Sequence, residues 1–148
     1  MQQTAVAVTM AHVAIVVEDI PAAVALFAEL GLDLEGEAKL EGDTVDRLCG
    51  LDRVRSHIAM VRTPDRTGRI ELIKYQTPQA PSAEPPAPNT PGIRHIVFSV
   101  PDIEDALNRL RSHGAEPVGE LVRYENSYRL CYVRCPGGFI IELAERIG

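Results

Sequence analysis

The chain has no tryptophan, three phenylalanines and four tyrosines, so it offers little aromatic surface for a cleft that holds ligands by stacking. Lysine is almost missing: Lys39 and Lys74 stand alone beside many arginines, a bias of genome composition that points to no function of its own. With a formal charge of −6 the chain lacks the basic surface on which phosphate contacts hold nucleic acid, and nucleic acid is excluded as a partner. No apolar run approaches the roughly 20 residues of a membrane span, and the N-terminal stretch has neither the basic opening nor the long apolar core of a secretion signal. No membrane partner is expected. Cys49, Cys131 and Cys135 form an odd set without zinc-knuckle spacing, which fits reduced thiols in a cytoplasmic protein.

What the chain does have is an internal repeat. Residues 12–37, HVAIVVEDIPAAVALFAELGLDLEGE, align without a gap on residues 95–120, HIVFSVPDIEDALNRLRSHGAEPVGE, at an offset of 83. His12/His95, Val17/Val100, Asp19/Asp102, Ile20/Ile103, Ala23/Ala106, Gly31/Gly114, Gly36/Gly119 and Glu37/Glu120 are identical pairs. Each copy predicts strand, helix, strand. Alternating apolar residues give way at Asp19 and Asp102, both N-cap candidates, to helical spacing at Ile20, Val24, Phe27 and Leu30 or at Ile103, Leu107 and Leu110. Gly31 and Gly114 then end the helices. Module 1 continues through a helical turn at 44–48 into strands at 54–62 and 69–75. Module 2 continues through strands at 121–124, 128–134 and 139–144, with Pro136-Gly137-Gly138 as the last turn.

The fold class expected is α+β, two tandem βαβββ modules whose curved sheets half enclose a cleft. A single domain over 1–148 is expected, with module 1 at about 8–76, a proline-rich connector at 77–92 (TPQAPSAEPPAPNTPG) and module 2 at about 93–146. A half of roughly 70 residues is marginal alone, so the halves should share one core.

The repeat places His12 and His95 on first strands and Glu71 and Glu142 on last strands. Strand alternation sets His12 with Ala14 and Val16, and His95 with Val97 and Ser99, opposite the bulky Ile15 and Phe98 faces that a helix can cover. Ile70 and Leu72 flank Glu71, as Ile141 and Leu143 flank Glu142, so the carboxylates turn to the smaller-lined faces as well. A lone strand histidine or glutamate is ordinarily a hydrogen-bonded rim residue. Two of each at matched places spell a divalent-metal site, with imidazole and carboxylate donors suited to zinc, nickel, cobalt, manganese or iron.

With AHVAIVVEDI, GRIELIKY, GIRHIVFSVPDI and PGGFIIELAE, the chain resembles the vicinal oxygen chelate superfamily from His12 to Glu145. That superfamily includes glyoxalase I, methylmalonyl-CoA epimerase, extradiol dioxygenases, fosfomycin-modifying enzymes and bleomycin-binding proteins. The resemblance implies a half-open barrel with one divalent metal per site, ligated by His12, Glu71, His95 and Glu142. It also implies a small-molecule substrate with adjacent oxygens, a homodimer, and a proton abstracted beside a metal-chelated carbonyl by Glu142, or second by Glu71. The expected function is thus an isomerase or lyase of glyoxalase I or epimerase type. The alternatives are a metal-free antibiotic-binding resistance protein, disfavoured by the filled ligand set, and an extradiol dioxygenase. The dioxygenase would use His12, His95 and Glu142 with His57, Tyr124 and Tyr128 as accessory groups.

Among other residues, His113 is expected to meet the carbonyls at a helix end. Arg47, Arg55, Arg123, Arg129 and Arg134 include the candidates for a substrate clamp, since guanidinium offers a paired-donor fork.

Overall fold

The computed structural model describes residues 7–148. Module 1 contains β1 (Val13–Val16), α1 (Ile20–Ala28), β2 (Asp33–Glu41), α2 (Asp43–Cys49), β3 (Arg55–Arg62) and β4 (Arg69–Thr77). Module 2 contains β5 (His95–Ser99), α3 (Ile103–Arg111), β6 (Glu116–Pro117), β7 (Val122–Tyr124), β8 (Tyr128–Arg134) and β9 (Ile140–Arg146). Both units are βαβββ. The sheets run β1-β4-β3-β2 and β5-β9-β8-β6, with β7 also on β8. In each, the first strand lies parallel to the last and the other pairs are antiparallel.

The helices begin as their sequence dictates. Asp19 Oδ1 accepts the Ala22 N–H at 2.9 Å and Asp102 Oδ1 accepts the Asp105 N–H at 3.1 Å, each satisfying a donor that the first helical turn leaves without a partner. They end at Gly31 (φ +85°) and Gly114 (φ +87°), after which the Leu32 and Ala115 N–H groups reach back to the Phe27 and Leu110 carbonyls. Only glycine enters that left-handed turn without strain.

The modules depart from their repeat in two places. The second strand of module 1 is long, with Glu35 as an extra residue between Leu34 and Gly36, whereas in module 2 it is broken into β6 and β7. The helical turn expected at 44–48 is α2, which has no counterpart in module 2.

The shared core is made by the helices. Phe27 of α1, wholly buried, stacks on Phe139 of module 2 (centroids 6.0 Å apart, 14° between planes) and tilts against Phe98 (6.1 Å, 56°). Phe98 lies in register with Leu143, on the side of sheet 2 that α3 covers. Ile20, Leu26, Leu72, Ile103, Leu110, Ile141 and Leu143 join the same cluster. Glu29, the C-cap residue of α1, reaches across to His113 (3.0 Å) and Arg109 (3.4 Å). His113 therefore pairs with the other module's carboxylate instead of capping its own helix. Each sheet turns one face toward this helical core and leaves the other open. Among the described residues no helix is long and apolar enough to cross a membrane.

Candidate metal centre

Strand register decides which side chains share the open faces, because directly paired residues point the same way. Ala14 pairs with Glu71 and Glu71 with Met60, while Ile15, Leu72 and Ala59 form the neighbouring rung against the core. His12 immediately precedes β1 and belongs with Ala14 and Val16. Its Nε2 lies 3.4 Å from Glu71 Oε2. In sheet 2, Val97 pairs with Glu142 and Glu142 with Tyr132, and His95 Nε2 lies 3.1 Å from Glu142 Oε1.

The two pairs are alike in exposure. The carboxylate side chains are shielded, Glu71 to 18% and Glu142 to 13% exposure, and the imidazoles are more open at 36% and 29%. Each pair offers one imidazole and one carboxylate from adjacent strands, a donor type that suits a borderline divalent cation. Among the described residues, however, no group of three or more His, Cys, Asp or Glu side chains converges. The folded chain makes two separate imidazole-carboxylate pairs, one on the open face of each sheet.

Two aromatic neighbours escaped sequence reasoning. Tyr132 stands on the Glu142 rung with its ring 4.7 Å from the His95 ring and tilted by 41°, so it fixes the imidazole from one side. Strand alternation places Tyr132 on one face with Tyr128 and Leu130, but only the β8–β9 register sets it beside Glu142. Tyr75, two residues beyond Ile73 on the Glu71 face, bonds through its hydroxyl to Cys49 Sγ of α2 at 3.9 Å. That bond, burial and the nearby Glu71 carboxylate push the Tyr75 phenol above its ordinary range.

Other candidates fall away from the site. His57 pairs across strands with Lys39 and Lys74 on the core-side face and lies 3.3 Å from Glu37, so it is no accessory group for chemistry at Glu71. Tyr124 and Tyr128 pair with each other at the sheet margin, on the open side but away from His95. Cys131 and Cys135 are buried free thiols, and burial raises both, Cys135 to about 12, which keeps them unreactive.

Comparison with known proteins now fixes the class. Residues 9–143 match the family model of the Glyoxalase/Bleomycin resistance protein/Dioxygenase superfamily, and the chain belongs to that superfamily. A glyoxalase family protein from Bacillus cereus is similar over the full length of both chains, with 44% identity and a TM-score of 0.91. Glyoxalase I from Leishmania major shares the fold at 18% identity and a TM-score of 0.64, over 94% of this chain and 87% of that one. So does a fosfomycin resistance protein from Listeria monocytogenes, solved with manganese(II) and 1S,2S-dihydroxypropylphosphonic acid, at 13% identity and a TM-score of 0.59, over 93% and 90%. No curated protein matches the chain.

Proposed function

We propose that the protein is a divalent-metal-dependent isomerase or lyase of glyoxalase I or epimerase type. It acts as a homodimer in which His12 and Glu71 of one protomer face the partner's His95 and the partner's Glu142. The observation that carries this reading is the pairing of His12 with Glu71 and His95 with Glu142 on two open faces that one chain does not bring together. Two copies related by a two-fold axis supply each half-set with its complement twice over. The open faces also carry exposed apolar side chains, Val16 at 63% and Val97 at 50%, with Val122 and Tyr124 beyond them, a surface that a second copy covers.

The donors fit a cation of the zinc, nickel, cobalt, manganese or iron class, which when bound supplies Lewis-acid stabilisation to negative charge on adjacent substrate oxygens. Glu142, the more shielded carboxylate, takes the proton from the carbon beside the substrate carbonyl and returns it; Glu71 is the second candidate. Tyr132 holds His95 in place, and Ala14, Val16 and Val97 give the reacting carbon an apolar wall that limits water. The manganese complex of the Listeria fosfomycin resistance protein supports a metal in this fold. With three free cysteines and no disulfide among the described residues, we place the protein in the cytoplasm.

A metal-free binding protein is the second reading, favoured by Tyr124, Tyr128 and Tyr132 on one open face. Metal content separates the two, because the enzyme retains about one ion per site. In heavy water, with α-keto thiol adducts and α-methylacyl-CoA thioesters as candidates, deuterium should enter beside the carbonyl, and Glu142→Gln should abolish it. Iron-loaded protein that consumes oxygen with catechols and catalyses no exchange would instead establish dioxygenase chemistry.

A further inference from the structure

The internal repeat supplies a control for reading the arginines. Met60 pairs with Glu71 as Tyr132 pairs with Glu142, and two residues farther on, Arg62 and Arg134 occupy equivalent places on the carboxylate-bearing faces. In module 1 that arginine is neutralised. Arg62 Nη1 donates to Glu35 at 2.8 Å and Arg69 Nη2 to the same carboxylate at 2.7 Å, while Arg62 Nε and Nη2 donate to the Arg66 carbonyl. The repeat alignment puts Val118 where module 1 has Glu35, and strand register puts Ile140 where it has Arg69.

Among the described residues, Arg134 therefore stands without a counter-charge. Its Nη1 donates to the carbonyls of Pro86 (2.8 Å) and Gly138 (2.9 Å), neutral acceptors that fix the guanidinium without cancelling its charge. The seat is built for this. Gly138, at φ +95°, lets Pro85 of the connector press against the turn, and a Cβ there would come within 3.0 Å of the Pro85 Cβ. Nε and Nη2 have no acceptor among the described residues, and although the side chain is part-buried neither nitrogen is sealed from the surface, so both remain open to a ligand. The other clamp candidates are spent or misplaced. Arg47 pairs with Asp43, Arg55 with Glu41, and Arg129 with Glu104 and Glu145, while Arg123 shares the Arg129 rung on the face away from Glu142.

Arg134 shares the rung of His95 through Ile140, two strand spacings or roughly 10 Å away. We propose that Arg134 is a specificity-determining residue that receives an oxyanion, carboxylate or phosphonate, carried by the substrate at a fixed reach from the oxygens chelated beside His95 and Glu142. The placement of those oxygens rests on the metal-centre reading above. A guanidinium already oriented by two carbonyls offers its remaining fork to such a group with little ordering cost.

The test uses manganese-loaded full-length protein and hydroxamates of increasing chain length, which chelate through two adjacent oxygens, each in methyl-ended, carboxylate-ended and phosphonate-ended form. At the matching length the charged forms should bind roughly ten- to a hundredfold more tightly than the neutral one, as charge-assisted hydrogen bonds of this kind allow. That preference should fall to within about twofold in Arg134→Gln, persist in Arg62→Gln and return in part in Arg134→Lys, with neutral hydroxamate affinity unchanged as the control for folding. A carboxylate or a phosphonate preference at that length tells which oxyanion fits. Separately, methylphosphonate added to metal-free protein should shift the Arg134 Nε–H resonance and leave that of Arg62 in place. Failure to bind metal with this shift retained would refute the metal centre and uphold the clamp. Equal affinity for charged and neutral probes at every length, or a still Arg134 resonance, overturns the clamp whatever the metal does.

Discussion

Two protomers that trade half-sets can be tested by complementation. His12→Ala/Glu71→Gln removes the module 1 donors and His95→Ala/Glu142→Gln those of module 2, and each homodimer should retain almost no metal, since every site has lost two of its four donors. The substitutions lie on the open faces, outside the cluster that includes Phe27 and Leu143, so both variants should fold. Unfolded, mixed in equal amounts and refolded together, they should form about half heterodimers by random pairing. In each heterodimer one site joins the two damaged half-sets and the other joins the two intact ones. About a quarter of all sites should then bind manganese or zinc with wild-type affinity, measured by metal analysis after gel filtration. Sites contained within single chains give a different result: every chain in the mixture carries a damaged half, and recovery is nil. Nil recovery with heterodimers demonstrated by mass would refute crossed sites, and a monomeric mass for the wild-type protein at micromolar concentration would refute the dimer itself.

The remaining predictions concern the parts that support this site. Phe27→Ala, which empties a fully buried ring from the contact between modules, should cost about 3–5 kcal/mol and lower the melting temperature by roughly 6–20 °C; a loss under about 1 kcal/mol in denaturant titration would mean the modules do not depend on it. Tyr132→Ala, which frees the His95 ring, should weaken metal affinity roughly tenfold, while Tyr124→Ala at the sheet margin should leave it unchanged. Glu29 is held below the usual carboxylate range, chiefly by its bond to His113 and also by Arg109, so it contributes stability above its unfolded value near 4.3 that is lost as acid titrates it through the lower folded value. The stability gap between wild type and Glu29→Gln should accordingly be largest near neutrality and shrink below about pH 4, and a gap that widened on acidification would contradict the assignment.

Much of this architecture is legible in the sequence, and the reason is the repeat. Two ungapped copies of one strand-helix-strand pattern leave few choices for Asp19, Asp102, Gly31 and Gly114, and the helices start at the two aspartates and pass into the turns that the glycines permit. Alternation likewise assigns His12, Glu71, His95 and Glu142 to faces. What it leaves open is where those faces point in the folded chain, because that depends on α1 packing against module 2 through Phe27, a contact between residues that lie far apart in sequence. The same holds for His113, whose helix-end position suggests a cap until Glu29 of the other module is seen beside it. Tyr132 and Arg134 needed the β8–β9 register, which a one-residue slip would have reversed.

On the proposed metal centre, the two modules agree where a cation would demand it and differ where a substrate would. A divalent ion tolerates little change in the number and placement of its donors, and in both halves of the chain the glutamate lies in register with the residue two beyond the histidine. A substrate with a reacting carbon, two chelating oxygens and a charged or bulky remainder has no two-fold symmetry, and identical walls could complement only half of it. Module 1 presents Ala14, Val16, Met60 and Ile73, with Tyr75 and α2 at one end and an arginine silenced by Glu35. Module 2 presents Tyr132 and an arginine left charged by Val118 in place of that glutamate. The proposed crossed dimer would give every site one wall of each kind, and a symmetric assembly of a repeated chain would thereby obtain a pocket able to hold its ligand in a single orientation.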